Sequence, residues 1–205
     1  MIDRTRNFST VAAFDFDGTL TQKDTLLPFI HFCKGSLHTG LYLAEVLPYV
    51  AGFALGIKTR QQVKESLLTN AFGGEPYAKI LEQGNEFAKH QIHSRLTPKA
   101  LAKLYWHQQE GHRCVLISAN LNVFLLPWAK KMGFDDLLCS QLDVDKAGRV
   151  TGKLLGHNCW GNEKVVRLKQ LLGPKEKYTL YAYGDSRGDR ELLEFADYPF
   201  YHRFE

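Results

Sequence analysis

Two aspartates stand two residues apart where an apolar run near the start of the chain ends. The run Thr10–Phe14 stops at Asp15, and Asp17 precedes Gly18 and Thr19. Because a strand would end here, Asp17 can turn away from Asp15 and direct its backbone carbonyl into a shared site. A turn or helix-capping role would fit Asp17, but it leaves Asp15 as a carboxylate ending an apolar strand without a partner. The pair therefore indicates a reactive or metal-binding site.

Two later segments carry groups that suit an anionic, phosphoryl-type ligand. Ser118, Ala119 and Asn120 follow the apolar run 113–117 and offer a hydroxyl and turn amides, although an ordinary turn explains them equally well. Lys164 falls in the first turn of a predicted helix, where a cation is unfavourable unless an anion binds there. Both segments predict contacts to phosphate oxygens.

A second carboxylate pair follows a third apolar run. Residues 178–183 precede Gly184, and Asp185 and Asp189 stand four residues apart after it. Carboxylates are hard oxygen ligands of the kind that Mg²⁺ prefers. This segment predicts a magnesium site.

These groups need a scaffold that brings three chain segments together. Short continuous apolar runs are typical of strands buried on both faces, and amphipathic segments alternate with them. We therefore expect an α/β fold, a Rossmann-like parallel sheet covered by helices, in which strand ends deliver Asp15, Ser118 and Asp185 to one edge. Further expected elements are a helix from Thr97-Pro98 towards Gly111, a helix capped by Asn162, a strand at 137–142, and a hairpin of 141–145 with 149–153 at the sheet edge.

About 95 residues separate the first two predicted strands, far more than a simple crossover needs. The interval must contain structure of its own, and we predict an inserted all-α cap over the strand tips. The chain would then divide into a catalytic core, residues 1–20 and 96–205, and a helical cap, residues 21–95. Helical patterns occur at 24–34, 37–57, 59–70 and 75–94.

Residues 40–57 are unusually apolar for a cap segment. They contain one charge, Glu45, and are interrupted by Pro48 and two glycines. The length is marginal for crossing a bilayer, and a central charge and proline disfavour it. We predict a pair of short buried helices split near Pro48, with a surface that meets a membrane or an apolar substrate as the alternative.

Composition excludes several classes of protein. The 205 residues include 26 basic and 22 acidic side chains, and the net charge of +4 is too small and dispersed for a nucleic-acid-binding surface. Cys33, Cys114, Cys139 and Cys159 form neither a disulfide pattern nor a zinc motif. No apolar signal segment precedes the first predicted strand, so we expect a cytoplasmic protein.

The four motifs, in this order, resemble the haloacid dehalogenase-like phosphohydrolase superfamily over nearly the whole chain. The place of the large insertion is similar to that of the helical cap in subfamily IB, the phosphoserine phosphatase-like branch. The resemblance implies that Asp15 is the nucleophile that forms an aspartyl-phosphate, and that Asp17 is the general acid and then the general base. Since expelling a halide needs no proton donor, Asp17 favours phosphomonoester hydrolysis over dehalogenation.

The resemblance also implies the binding roles. Mg²⁺ would be held by Asp15, Asp185 and the Asp17 carbonyl, while Ser118 and Lys164, with the Ala119 and Asn120 turn, hold the phosphate oxygens. Asp189 would orient Lys164 or a metal-bound water rather than bind the metal directly.

Substrate choice would depend on the cap. Phosphoserine phosphatases have a glutamate nine residues after the nucleophile; this chain has the shorter Asp24, and Arg60 is a candidate for a substrate carboxylate. The run 21–24 with its following apolar segment is similar to bacterial phosphatidylglycerophosphatase C. We expect a phosphorylated small molecule or a lipid-like phosphomonoester, the latter reached at the inner membrane face through peripheral contact by the cap.

Other functions stay open alongside this one. A phosphoserine phosphatase-like enzyme is the alternative hydrolase, and a phosphotransferase would pass the phosphoryl group to another alcohol. Receiver modules also use strand-end carboxylates and Mg²⁺, but they have roughly half this length and no large insertion. The sequence carries no signal for the oligomeric state.

Overall fold

The computed structural model describes residues 9–202 and residue 204. Its main sheet has five strands in the order β3-β2-β1-β6-β7, with every neighbouring pair parallel. A separate antiparallel sheet contains β4 and β5. The strands are β1 Thr10–Phe14, β2 Arg113–Leu121, β3 Asp136–Ser140, β4 Leu142–Val144, β5 Val150–Leu154, β6 Thr179–Gly184 and β7 Tyr198–Tyr201.

The α-helices of the described residues are α1 Leu26–Ala54, α2 Arg60–Phe72, α3 Tyr77–His90, α4 Pro98–Gln109, α5 Asn122–Lys131, α6 Asn162–Leu172 and α7 Arg190–Phe195. The predicted α/β class is confirmed. Thr97 is the N-cap of α4 with Pro98 in its first turn, as expected. The N-cap of α6 is Gly161 rather than Asn162, because the chain needs a positive φ, 60°, at that position.

The two faces of the sheet carry separate hydrophobic clusters because successive strand side chains point to opposite sides. Val11 and Ala13 belong to the cluster covered by α6 and α7. Ala12 and Phe14 belong to a larger cluster that includes side chains of α4, α5 and the three inserted helices. The insertion therefore shares one continuous core with the sheet.

The helices α1, α2 and α3 lie between β1 and the segment that leads to α4, where the cap was predicted. A capping box starts α2: Thr59 Oγ1 accepts from Gln62 N at 3.2 Å, and Gln62 Oε1 accepts from Thr59 N at 2.9 Å. The division at residues 20 and 95 stays a prediction. Residues 1–8 of the predicted core lie outside the described residues.

The prediction for residues 40–57 is wrong in two respects. Residues 40–54 belong to α1, which continues through Pro48, and the break in α1 lies at Gly35, where φ is 78°. Much of the segment is also exposed rather than buried, Leu55 and Ile57 by 74% and 71%. A surface helix tolerates the proline because water can satisfy the carbonyl that loses its partner. Among the described residues, no helix combines the length and apolar character needed to cross a membrane.

The predicted hairpin exists, but it is not part of the main sheet. The free edge of β5 is bonded to the insertion: Val150 N donates to Glu75 O at 2.9 Å, and Gly74 N donates to Val150 O at 2.8 Å. Backbone groups that bind the cap segment cannot also extend the sheet. The single strand predicted at 137–142 is correspondingly divided at Gln141 into β3 and β4.

Candidate active site

Asp15 lies at the centre of a buried charged cluster where β1, β2 and β6 end. Its backbone N–H donates to Tyr183 O at 2.9 Å, which continues the pairing of β1 with β6. Lys164 Nζ donates to Asp15 Oδ1 at 2.5 Å, to Asp189 Oδ1 at 2.6 Å and to the Ile117 carbonyl at 3.3 Å. One lysine therefore links the residue after β1, a carbonyl of β2 and the segment that follows β6.

The cluster contains more carboxylate groups than positively charged side chains. Burial raises the pKa of Asp15 to about 8; Lys164 opposes the rise, while Asp189 and Asp17 add to it. Burial alone would lower the pKa of Lys164, but its two carboxylate partners raise it instead. The lysine thus stays charged, and a further cation would favour the ionised form of Asp15.

Asp17 is held in a different environment, away from Lys164. Its Oδ1 accepts from Thr25 N at 2.9 Å and Thr25 Oγ1 at 2.6 Å, and its Oδ2 accepts from Asn120 Nδ2 at 2.8 Å. Burial, with the charge of Asp24, raises its pKa to about 7, although these hydrogen bonds oppose the rise. A carboxyl group with such a pKa can both donate and accept a proton near neutral pH.

The sharp turn after Asp15 separates the two carboxylates. Residues Phe16–Leu20 form one wide helical turn in which Gly18 has φ 79°. A Cβ atom on Gly18 would lie 2.1 Å from Asp185 Oδ2, so only glycine fits beside this carboxylate. Thr19 Oγ1 donates to Asp185 Oδ1 at 3.0 Å and orients it.

The acidic residues fit a divalent metal ion. Oxygens of Asp15, Asp185 and Asp189 lie within 4.8 Å of one another, and all are the hard ligands that suit Mg²⁺. Both oxygens of Asp189 are already bonded to protein donors, Oδ1 to Lys164 and Oδ2 to Ser186 N at 3.0 Å and Ser186 Oγ at 2.8 Å. Burial raises the pKa of Asp185, whereas Lys164 and Ser186 hold that of Asp189 low. Asp189 is thus better placed to support the site than to bind the metal.

The predicted phosphate-binding residues Ser118, Ala119 and Asn120 lie inside β2, among its last four residues, and not in a turn after the strand as predicted. Ser118 and Asn120 are buried, and Asn120 N donates to Ser118 Oγ at 3.0 Å. The Asn120 side-chain amide is directed to Asp17 and to Thr25 Oγ1, at 2.9 Å from the latter. Asn120 thus positions Asp17, a contact that the motif did not predict.

A cavity of about 440 Å³ opens above Asp17, between the sheet edge and the inserted helices. Asp24 and Arg60, the predicted specificity residues, both line it. Asp24 Oδ1 accepts from Leu26 N at 3.0 Å, and the Arg60 guanidinium lies 4.7 Å from the centre of the Trp160 ring. The other lining residues are Leu26, Leu27, Leu43, Val46, Val50, Phe53, Val63, Lys64, Leu67, Ala119, Asn120, Asn158 and Trp160.

Sequence reasoning missed two residues of this region. Thr25 holds Asp17, and Lys64 reaches from α2 to the Ala119 carbonyl. Lys64 carried a detectable signal: it stands four residues after Arg60 on a predicted helix, so both cations share one face. No sequence pattern indicated Thr25, because its hydrogen bonds to Asp17 form only when the chain folds back towards Asp17 after the turn at Gly18.

Comparison with known proteins places the chain in a family. Residues 12–194 match the haloacid dehalogenase-like hydrolases. Protein CicA of Caulobacter vibrioides is 32% identical over 194 residues, 95% of this chain and 86% of the relative. A histidinol-phosphatase of Neisseria meningitidis is 27% identical over 127 residues, covering 59% of this chain and 57% of the relative.

A solved phosphoserine phosphatase structure, described as a phospho-aspartyl intermediate analogue, has the same fold. It is 17% identical with a TM-score of 0.59, and the alignment covers 92% of this chain and 84% of the other. The motif residues at the sheet edge, the family match and the phosphatase relatives agree with one another. The chain belongs to the haloacid dehalogenase-like hydrolase family.

Proposed function

We propose that the protein hydrolyses phosphomonoesters with Mg²⁺ through an aspartyl-phosphate on Asp15. The observation that carries this proposal is the separate treatment of two neighbouring carboxyl groups. Asp15 forms a salt bridge with Lys164, whereas Asp17 accepts hydrogen bonds from the neutral donors Thr25 and Asn120, and burial raises its pKa to about 7. Such a pair suits a nucleophile beside a proton donor.

In the first step, an Asp15 carboxylate oxygen forms a bond to phosphorus as the bond to the ester oxygen breaks. Lys164 holds Oδ1 of Asp15, which leaves Oδ2 to attack. Asp17 gives its proton to the departing alkoxide, so an alcohol leaves. In the second step, Asp17 takes a proton from water as the water oxygen bonds to phosphorus, and phosphate and the Asp15 carboxylate are released.

We propose that Asp15, Asp185 and the Asp17 carbonyl would hold the metal. The bound cation would screen the repulsion between the carboxylate and the phosphate. Ser118 and Lys164 would contact the remaining phosphate oxygens, and Asp189 would keep Lys164 in place.

We propose a substrate with an apolar portion. The cavity next to Asp17 has a wall formed by Leu43, Val46, Val50 and Phe53, which recur on one face of α1. Asp24 Oδ1 accepts hydrogen bonds from the first two backbone amides of α1, so this oxygen is less available to bind a substrate amino group. Apolar contact on this wall would stabilise an alkyl or acyl chain.

The first experiment measures phosphate release from amino-acid, sugar, nucleotide and alkyl phosphomonoesters with Mg²⁺, with and without a chelator. We expect reversible loss of activity on chelation and the highest kcat/KM for an alkyl phosphate. A higher kcat/KM for phosphoserine would make a phosphoserine phosphatase-like enzyme the better description. Transfer of phosphate to an added alcohol in preference to water would indicate a phosphotransferase.

Leu43→Ser should lower kcat/KM for octyl phosphate about tenfold and leave that for a small polar phosphomonoester nearly unchanged. Losing apolar contact with one leucine is worth roughly 1–2 kcal/mol. Leu41→Ser is the matched control, because Leu41 lies on the same helix but is not part of the cavity wall; the two side chains are 41% and 52% exposed. Equal effects of the two variants would contradict an apolar substrate site.

We also propose that the outer face of α1 meets a membrane surface. Leu37 of α1 and Leu55, the residue that directly follows α1, are each 74% exposed, and Leu41 of α1 lies between them in the sequence. An exposed apolar helix face of this kind can lie in the headgroup region of a bilayer.

Anionic phospholipid vesicles should therefore co-sediment the protein, and the Leu37→Ser/Leu55→Ser double variant should sediment several-fold less. Binding should strengthen with the fraction of anionic lipid, because the chain carries a net charge of +4. Absence of the wild-type protein from the vesicle pellet would show that this face has no membrane role.

A further inference from the structure

Lys64 is a cation of the cap helix α2 that extends into the active-site cavity. Its Nζ donates to the carbonyl oxygen of Ala119, in the predicted phosphate-binding segment, and to Asn158 Oδ1 at 3.2 Å. Asn158 Oδ1 also accepts from Ser140 Oγ at 2.9 Å, which fixes its position. Both partners of the ammonium group are neutral.

The nearby carboxylates do not neutralise Lys64. Asp17 accepts from Thr25 and Asn120, and Asp24 accepts from the first amides of α1. Lys164 forms salt bridges with two carboxylates, whereas Lys64 forms none within the described part of the chain. Burial lowers the pKa of Lys64 to about 8, and the charges of Asp17 and Asp24 restore only part of the loss. The ammonium is thus buried against two neutral hydrogen-bond partners, and the negative charges of Asp17 and Asp24 compensate it only in part.

A cation that lines an open cavity and is only partly compensated is suited to contact an anionic group of a bound ligand. The phosphoryl group being transferred would already contact Lys164 and the proposed metal, so the positive charge of Lys64, at the Ala119 carbonyl, suits a second anionic group. The cavity wall next to Lys64 includes Val63 and Leu67 of the same helix, so the anion would lie at the junction between the reacting phosphate and the apolar part of the substrate.

We propose that Lys64 is a specificity-determining residue that binds a second anionic group of the substrate, a carboxylate or a phosphodiester close to the scissile ester. This inference rests on the proposed phosphomonoester hydrolysis. It restricts the substrate class to phosphomonoesters with an apolar chain and a second negative charge within a few bonds of the ester oxygen.

Three matched probes test the proposal. Octan-2-yl phosphate has an apolar chain and no second charge. In 2-(phosphonooxy)octanoate, a carboxylate replaces the methyl group next to the ester-bearing carbon. In the third probe, that same methyl group instead carries a methyl phosphodiester. Wild-type enzyme should prefer one anionic probe over octan-2-yl phosphate, and the preferred probe identifies which anion the site takes.

Lys64→Met should lower this preference about tenfold, mainly by raising KM for the anionic probe, because one charge-assisted contact is lost. Lys64→Arg should retain most of it. Gln61→Leu is the control, since Gln61 Oε1 accepts from Asn158 N at 3.1 Å and ties the same helix to the same loop without a charge. It should change kcat/KM for all probes by one common factor.

Two results would overturn the inference while the proposed hydrolysis stands: no wild-type preference among the probes, or an equal loss on every probe in Lys64→Met, which is what a purely structural tie between cap and core would produce. Failure of the wild-type enzyme to hydrolyse any phosphomonoester would instead overturn the proposed function itself.

Discussion

Asp15→Asn is expected to lower phosphatase turnover by at least about 10⁴-fold. The carboxamide has nearly the same shape, so Lys164 can keep its position through Asp189 and the Ile117 carbonyl. The amide lacks the anionic oxygen that must bond to phosphorus, and it also removes one of the proposed metal ligands. Steady-state phosphate release with an aryl phosphate measures the loss.

Asp143→Asn is the matched control, because Asp143 lies in β4 and accepts from Thr151 Oγ1 at 2.9 Å, away from the cavity. It should retain turnover close to that of the parent. Intact-mass measurement after rapid mixing should detect a phosphorylated form in the parent and none in Asp15→Asn. Turnover of Asp15→Asn within tenfold of the parent would contradict the nucleophile assignment.

Asp17→Asn should separate the two chemical steps. An aryl phosphate has a leaving group that needs little protonation, so the variant should still release a burst of aryl alcohol. Hydrolysis of the phosphorylated enzyme should then slow by about 10²- to 10⁴-fold, because no base takes the proton from the attacking water. Rapid-quench measurement of both products resolves the two phases.

Thr25→Ser provides the comparison for Asp17→Asn. It keeps the hydroxyl that donates to Asp17 Oδ1 at 2.6 Å and should preserve both phases. An alkyl phosphate should show no burst in Asp17→Asn, since its alcohol needs the proton. Equal loss of the aryl burst in Asp15→Asn and Asp17→Asn would leave Asp17 with a structural role only.

Several features of the fold followed from local patterns. The apolar run that ends at Asp15 forms a central strand, and the chain turns at Gly18, where φ is 79° and glycine is favoured. The Thr97-Pro98 pair begins a helix at the predicted residue. Each depends on neighbouring residues, and neighbouring residues are what a sequence pattern records.

The apolar segment of the cap shows where such patterns fail. Hydrophobicity at 40–57 indicated burial, yet only one face of α1 lines the cavity and much of the other is exposed. The composition of a segment does not specify which neighbour covers it. The predicted position of the β4–β5 hairpin is wrong for the same reason, because the free edge of β5 pairs with the segment after α2 and not with the main sheet.

The sequence by itself determined which side chains could do the chemistry, because the Asp15–Thr19 motif and the Asp185 and Asp189 spacing are local. Only the tertiary structure decided the partner of each group. Lys164 pairs with Asp15 across 149 residues, and Asn120 reaches Asp17 across 103. Hydrogen bonding and burial set the protonation of each carboxyl group, and both arise from chain segments that meet only when the sheet closes and the inserted helices pack over its edge.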